Sequence, residues 1–211
     1  VKGPDCVVLG ADTRVTLMQQ AQDGTKMPVN FDNATKLFSF KNHKHVGVVT
    51  YGQAVIGLRT AHSFLPEFEM ELDSKTGGNR TSVKQYAEQL SNFYLERWNE
   101  INKNVYQGPD MVFIVGGYSE EQAYGEVYVV SIPSNPEPVE QNPKNNFGMT
   151  WGGQLQVASR LIHGYDPKLI DVLKTQLDLN QEDIHNILKE LKKSTYEAEN
   201  IKVLEGLEAV R

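Results

Sequence analysis

The chain has 211 residues and one cysteine, Cys6, so it can form no internal disulfide. A fold of this size must be held by an apolar core rather than by covalent staples, and a cytoplasmic setting is the simplest expectation. A basic excess is missing too. Twenty-one Lys and Arg face 27 Asp and Glu, giving a net charge of −6. That balance argues against a face that grips nucleic-acid phosphates. No apolar run is long enough to cross a bilayer, and no signal-peptide pattern stands at the start, so no membrane partner is expected. The triplets Asn33-Ala34-Thr35 and Asn79-Arg80-Thr81 are accordingly read as chance matches to the glycosylation pattern.

The common catalytic signatures are also missing. There is no phosphate-binding glycine loop, no dinucleotide fingerprint, no His-Glu-x-x-His and no Gly-x-Ser-x-Gly elbow. The histidines, His43, His45, His62, His163 and His185, do not fall in ligand spacing. His43 and His45 share a strand–turn region and could touch a metal, but solvated turn histidines are the simpler reading.

The order of elements is legible from apolar periodicity. Cys6 to Ala11 follows the turn Gly3-Pro4-Asp5 and reads as a buried strand. Residues 17–33 are polar and irregular and read as a long loop. Lys36 to Phe40 and Val46 to Tyr51 read as strands. From Gln53 the spacing of Val55, Leu58, Ala61, Leu65 and Phe68 becomes helical, interrupted near Pro66. Val83 to Ile101 marks a long helix capped by Thr81 or Ser82. Met111 to Val115 and Val127 to Ile132 read as strands, Pro133 to Asn146 as a loop, and Phe147 to Trp151 as a short strand.

Everything after Gln154 looks helical, with Asp166 turning or capping the chain before Pro167 and Asn180 capping the next helix. A last helix is expected through Ile201, Leu204 and Leu207. Trp98 and Trp151 read as core or interface residues. Strands, helices, strands, then helices fit an α+β fold in which two antiparallel sheets pack together under outer helices.

Three pieces carry the chemistry. In Gly10-Ala11-Asp12-Thr13-Arg14-Val15-Thr16, charges follow an apolar run abruptly. In Thr35-Lys36-Leu37-Phe38, a lysine enters a strand. In Val48-Val49-Thr50-Tyr51-Gly52-Gln53-Ala54, a strand breaks at a glycine. Taken alone, Asp12, Arg14 and Lys36 read as a structural ion pair at a strand end, and Gly52 as a turn.

In this order and spacing, the pieces resemble the β-type subunits of the proteasome and their bacterial relatives in the Ntn-hydrolase superfamily, from Val1 to about Trp151. The resemblance implies a four-layer αββα sandwich and one domain over 1–211, lacking its first strand and its C-terminal strands, with a helical extension over 165–211. It implies a threonine-type peptidase or amide hydrolase acting on peptide or protein substrates, without metal or organic cofactor, in a ring-forming homo-oligomer. It makes Asp12 and Arg14 the acidic-x-Arg pair, Lys36 the active-site lysine and Gly52 an oxyanion-hole amide. Thr16 becomes the residue whose backbone pairs with substrate, and Ala54 a pocket-lining position.

By the same count, the nucleophilic threonine belongs roughly five residues before Val1, on a preceding strand. Val1-Lys2-Gly3-Pro4-Asp5 reads as the middle of a hairpin, and Arg211 stops inside a helical pattern, so the chain is expected to be an internal fragment. Three departures from the family are visible. The nucleophile is not in the sequence, Gly152 stands where the family has a serine, and the family's later Asp-x-x-Ser-Gly segment has no match. They open the alternative of a catalytically inactive ring or scaffold subunit. A small-amide amidohydrolase of the same superfamily is a third reading.

Overall fold

A computed structural model describes residues 1–196 except 22, 102–107, 121, 154, 167 and 178. The helix expected through Ile201, Leu204 and Leu207 lies outside the described residues. The chain divides into two compact units between Thr150 and Trp151.

The first unit is α+β, built on a five-stranded antiparallel sheet. Its strands are β3 (Leu37–Ser39), β4 (Val46–Gly52), β7 (Met111–Gly117), β8 (Glu126–Ile132) and β9 (Asn135–Glu140), in that spatial order. β1 (Val15–Gln20) and β2 (Lys26–Phe31) form a separate two-stranded ribbon, with Val15 opposite Phe31 and Gln20 opposite Lys26. β5 (Val55–Ile56) and β6 (Arg59–Thr60) form a short hairpin. A 3₁₀ turn, Ala61–Phe64, then leads into α1 (Leu65–Thr76), and α2 (Val83–Ile101) follows.

α2 supplies the core because its apolar residues recur at helical spacing on one face. Val83, Tyr86, Ala87, Leu90, Phe93, Tyr94 and Trp98 are all buried. They meet Phe38, Val48, Phe113, Val130 and Ile132 from one face of the sheet. Tyr94 and Phe113 lie with ring centroids 4.5 Å apart, and the Tyr94 hydroxyl donates to the Ala61 carbonyl at 2.7 Å. The opposite face of the sheet is covered at Val49, Ile114 and Val127 by Val7 and Leu9.

α2 begins at a capping box. Ser82 Oγ accepts the Gln85 N–H and Gln85 Oε1 accepts the Ser82 N–H, both at 3.2 Å. Ser119 Oγ accepts the Val83 N–H at 3.0 Å. Ser82→Ala is therefore expected to cost about 1 kcal/mol, read from the urea midpoint at unchanged m-value.

Several expectations need correction. The loop expected over 17–33 is the β1–β2 ribbon, and the loop expected over 133–146 contains β9. The helical spacing from Val55 to Leu58 is a hairpin turning at Gly57, with φ +61°; helix starts only after Thr60. Cys6 to Ala11 is not a buried strand: Cys6 and Val8 are exposed, and only Val7 makes a β-bridge, to Lys2. Phe147 to Trp151 contributes one bridge, from Gly148 to Lys2.

Val1 and Val8 exchange backbone hydrogen bonds at 2.8 Å around the Gly3–Cys6 turn. Lys2 is 2% exposed, and its ammonium donates to the Asn142 and Lys144 carbonyls at 2.6 Å each. His43 is buried too, against the expectation of a solvated turn. Its Nε2 lies 3.2 Å from Asp73 Oδ1, and its ring stands edge-on to Tyr86.

The second unit contains α3 (Leu155–His163), α4 (Lys168–Gln176) and α5 (Gln181–Tyr196). Asp166 caps α4 by accepting the Lys168 N–H at 3.0 Å and pairs with Arg160. Asn180 Oδ1 caps α5, accepting from Glu182 and Asp183. Trp151 and His163 stack edge-on at 6.1 Å. Among the described residues, no helix is long and apolar enough to cross a membrane.

Candidate functional site

The sheet register brings Lys36 and Gly52 to one end of the sheet. Leu37 pairs with Val49, so Lys36 lies just beyond β3 and beside Thr50, whose N–H donates to the Lys36 carbonyl at 2.9 Å. Gly52 is the last residue of β4, opposite Met111, the first residue of β7. Asp110 precedes β7, and Ser134 sits in the turn after β8.

Lys36 and Asp12 meet. The Lys36 ammonium donates to Asp12 Oδ1 at 2.7 Å and also to the Arg14 carbonyl. The Lys36 side chain is 18% exposed and that of Asp12 71%. The ammonium is thus drawn against the chain while its counter-ion faces water. The hydrogen bond from Lys36 holds the Asp12 carboxyl below its ordinary value of 3.8, with partial burial opposing it.

A folded-state pKa below the unfolded one means that the pair's contribution is complete above the ordinary carboxylate range. It is lost as pH falls through the lowered value. Asp12→Asn is expected to flatten that acid limb without shifting stability at pH 7 by more than about 1 kcal/mol, checked by urea titrations from pH 7 to pH 2.

Arg14 does not join the lysine through its side chain. Its guanidinium pairs with Asp32, Nε to Oδ1 at 2.8 Å, and this raises the Arg14 pKa and lowers that of Asp32. Thr16 Oγ1 donates to Asn30 Oδ1 at 2.7 Å. Both contacts tie the base of the β1–β2 ribbon, and Ala34 N–H donates to the Thr13 carbonyl beside them. Arg14 and Thr16 therefore fix the base of the ribbon, next to the segment from which Asp12 reaches Lys36. Ala54 enters the β5–β6 hairpin, and its carbonyl accepts the Ala61 N–H at 3.2 Å.

Gly52 has φ +82°, in the left-handed region. A Cβ there would stand 2.1 Å from the Asp110 carbonyl oxygen, so only glycine fits. The direction of its amide follows from strand alternation. Thr50 N–H points toward β3, where it meets Lys36, and Gln53 N–H points toward β7, where it meets the Asp110 carbonyl at 2.9 Å. Gly52 N–H shares the side of Thr50. It therefore faces the flank where Lys36 lies, about 6.8 Å further along the strand from the Lys36–Thr50 pair. Gly52 is exposed.

Asp32, Asn30, Asp110 and Ser134 were not singled out by the sequence. Asp110 in Gly-Pro-Asp and Ser134 in Pro-Ser-Asn look like ordinary turn residues. Nothing in the chain marks that Ser134 Oγ donates to Asp110 Oδ1 at 2.8 Å. Among the described residues, no group of His, Cys, Asp and Glu is placed to hold a metal ion.

The arrangement offers a fixed cation with its counter-ion, and an outward backbone N–H on the same strand flank. That combination suits a developing negative charge on an oxygen atom. No protein-family model matches the chain, and no curated protein matches it.

Proposed function

We propose that the chain is the body of an N-terminal-nucleophile amide hydrolase of the proteasome β-subunit type, cytosolic, assembled as a ring and acting on peptide or protein substrates. The αββα sandwich belongs to the same reading. The observation that carries it is the Lys36 ammonium, held by Asp12 and the Arg14 carbonyl on the strand flank that Gly52 N–H faces.

In this reading, a terminal Thr, Ser or Cys upstream of Val1 supplies the nucleophile. Its free α-amine, ordinarily near pKa 7.7–8.0, takes the proton from the side-chain hydroxyl or thiol. The nucleophile attacks the scissile carbonyl, and the oxyanion meets Gly52 N–H. The amine returns the proton to the departing nitrogen, and water then releases the acyl group. Lys36 keeps the neighbouring amine deprotonated through its positive charge. The β1–β2 ribbon, with Thr16 at its base, offers an edge for an extended substrate, and Ala54 borders the pocket.

N-terminal sequencing with intact mass on protein from its source tests the reading. A free Thr, Ser or Cys about five residues before Val1 is the expected result. A mature chain with no such terminal residue would sink it. The inactive-subunit reading then takes over, favoured by Gly152 at the position of the family's serine.

A further inference from the structure

We propose that Asp110, steadied by Ser134, is a positioning residue that aims the Gly52 amide. The role rests on the reading of Gly52 N–H as an oxyanion donor and adds two residues to that site. β4 ends at Gly52, where the backbone leaves extended geometry at φ +82°. A glycine in this region is free to rotate unless its neighbours pin it.

The pin is Asp110. Its carbonyl accepts the Gln53 N–H at 2.9 Å and occupies the space a Cβ on residue 52 would take. The peptide after Gly52 is therefore held toward β7. The Gly52 N–H belongs to the preceding peptide, which also carries the Tyr51 carbonyl of the Tyr51–Val112 ladder pair, so that pair and the Asp110 contact together keep the N–H turned toward the Lys36 flank.

Asp110 is itself held from a third element. Its side chain accepts from Ser134 Oγ at 2.8 Å, and Ser134 lies in the turn joining β8 to β9. The last β4–β7 pair, Gly52 with Met111, and the last β7–β8 pair, Met111 with Ile132, stand side by side. The Ser134–Asp110 bond closes this end of the sheet across three strands. An oxyanion donor must be fixed before charge develops, because reorienting it during the reaction forfeits its advantage. Neither Asp110 nor Ser134 needs to touch substrate for this.

The test uses the full native chain with Ser134→Ala and Ser134→Thr. Amide hydrogen exchange reports the pin directly, without reference to turnover. Gln53 exchange should quicken about tenfold in Ser134→Ala, with global unfolding unchanged, and return to wild type in Ser134→Thr. Unchanged Gln53 exchange in Ser134→Ala overturns the proposal.

With a peptide-amide substrate, kcat should fall about tenfold in Ser134→Ala at constant KM, and recover in Ser134→Thr. Loosened exchange with wild-type kcat overturns the link to the reaction. A wild-type protein with no hydrolysis defeats the hydrolase reading alone, and exchange then decides the positioning role by itself.

Discussion

Gly52→Ala is expected to cost about 3 kcal/mol of folding stability, the larger part of it from collision rather than from backbone preference. Two penalties meet at this position. The left-handed φ of +82° strains any residue with a Cβ, by about 1 kcal/mol at the low end of such cases. The added carbon would also sit 2.1 Å from the Asp110 oxygen and 3.3 Å from its carbonyl carbon. Backbone cannot yield as a flexible side-chain tip can. β4 and β7 must part at this end, and the Gln53–Asp110 hydrogen bond is the first to go.

Gly153→Ala separates the two penalties. Gly153 has φ +90° but open space around its would-be Cβ, so it carries the strain alone. Chemical denaturation of the two variants beside the wild type gives the comparison. Equal losses at both positions would show that the Asp110 contact has no energetic weight.

On the proposed hydrolase reading, Lys36→Ala is expected to remove amide hydrolysis by a factor of about 10² to 10³ while leaving the fold in place. The fold survives because the partner carboxylate is mostly in water, and exposed pairs contribute about 0–1 kcal/mol. The proposed reaction would not survive, because the variant removes the ammonium that Asp12 and the Arg14 carbonyl hold beside Thr50. Single-turnover kinetics with a peptide amide, next to a circular dichroism melt, reads both effects. A folded Lys36→Ala protein that turns over normally would leave Lys36 as a structural cation. A matching Arg14→Ala variant should loosen the ribbon through Asp32 with a smaller effect on turnover, since its guanidinium points to Asp32.

The parts of this fold that the sequence announces are those in which apolar spacing decides the structure. α2 is legible because Val83, Tyr86, Ala87, Leu90, Phe93 and Tyr94 repeat at helical period behind Ser82, and all are buried. β4, β7 and β8 are legible as apolar runs. β9 is not: Asn135, Pro136 and Pro138 mimic a loop, and only its place at the sheet edge lets prolines remain in a strand. The β1–β2 ribbon is hidden by Gln19, Gln20 and Pro28, polar or turn-like residues that cross-strand pairing overrides.

Val55 and Leu58 sit at helical spacing, yet Gly57 turns the chain between them and leaves Leu58 wholly exposed. At the site, the sequence picks out Asp12 and Lys36, which do meet. It places Arg14 beside them, whereas the guanidinium is spent on Asp32. Asp110 and Ser134 are invisible because hydrogen bonds across 24 positions leave no periodic trace. Lys2 reads as part of a turn, since no local pattern tells that two carbonyls from 142–144 will close over its ammonium.

The two prolines of β9 also bear on how the sheet resists self-templating. An edge strand offers unpaired N–H groups to any incoming strand, including a second molecule in the unfolded pool. Pro136 and Pro138 lie two residues apart and so delete donors on one side of the strand, the outer side where an edge tolerates proline. The Pro136 carbonyl is taken by Ser91 Oγ. At the other edge, β3 is only Leu37–Ser39. One border of the sheet thus lacks two of its donors and the other is only Leu37–Ser39, so neither margin offers an incoming strand a long run of N–H groups to pair with.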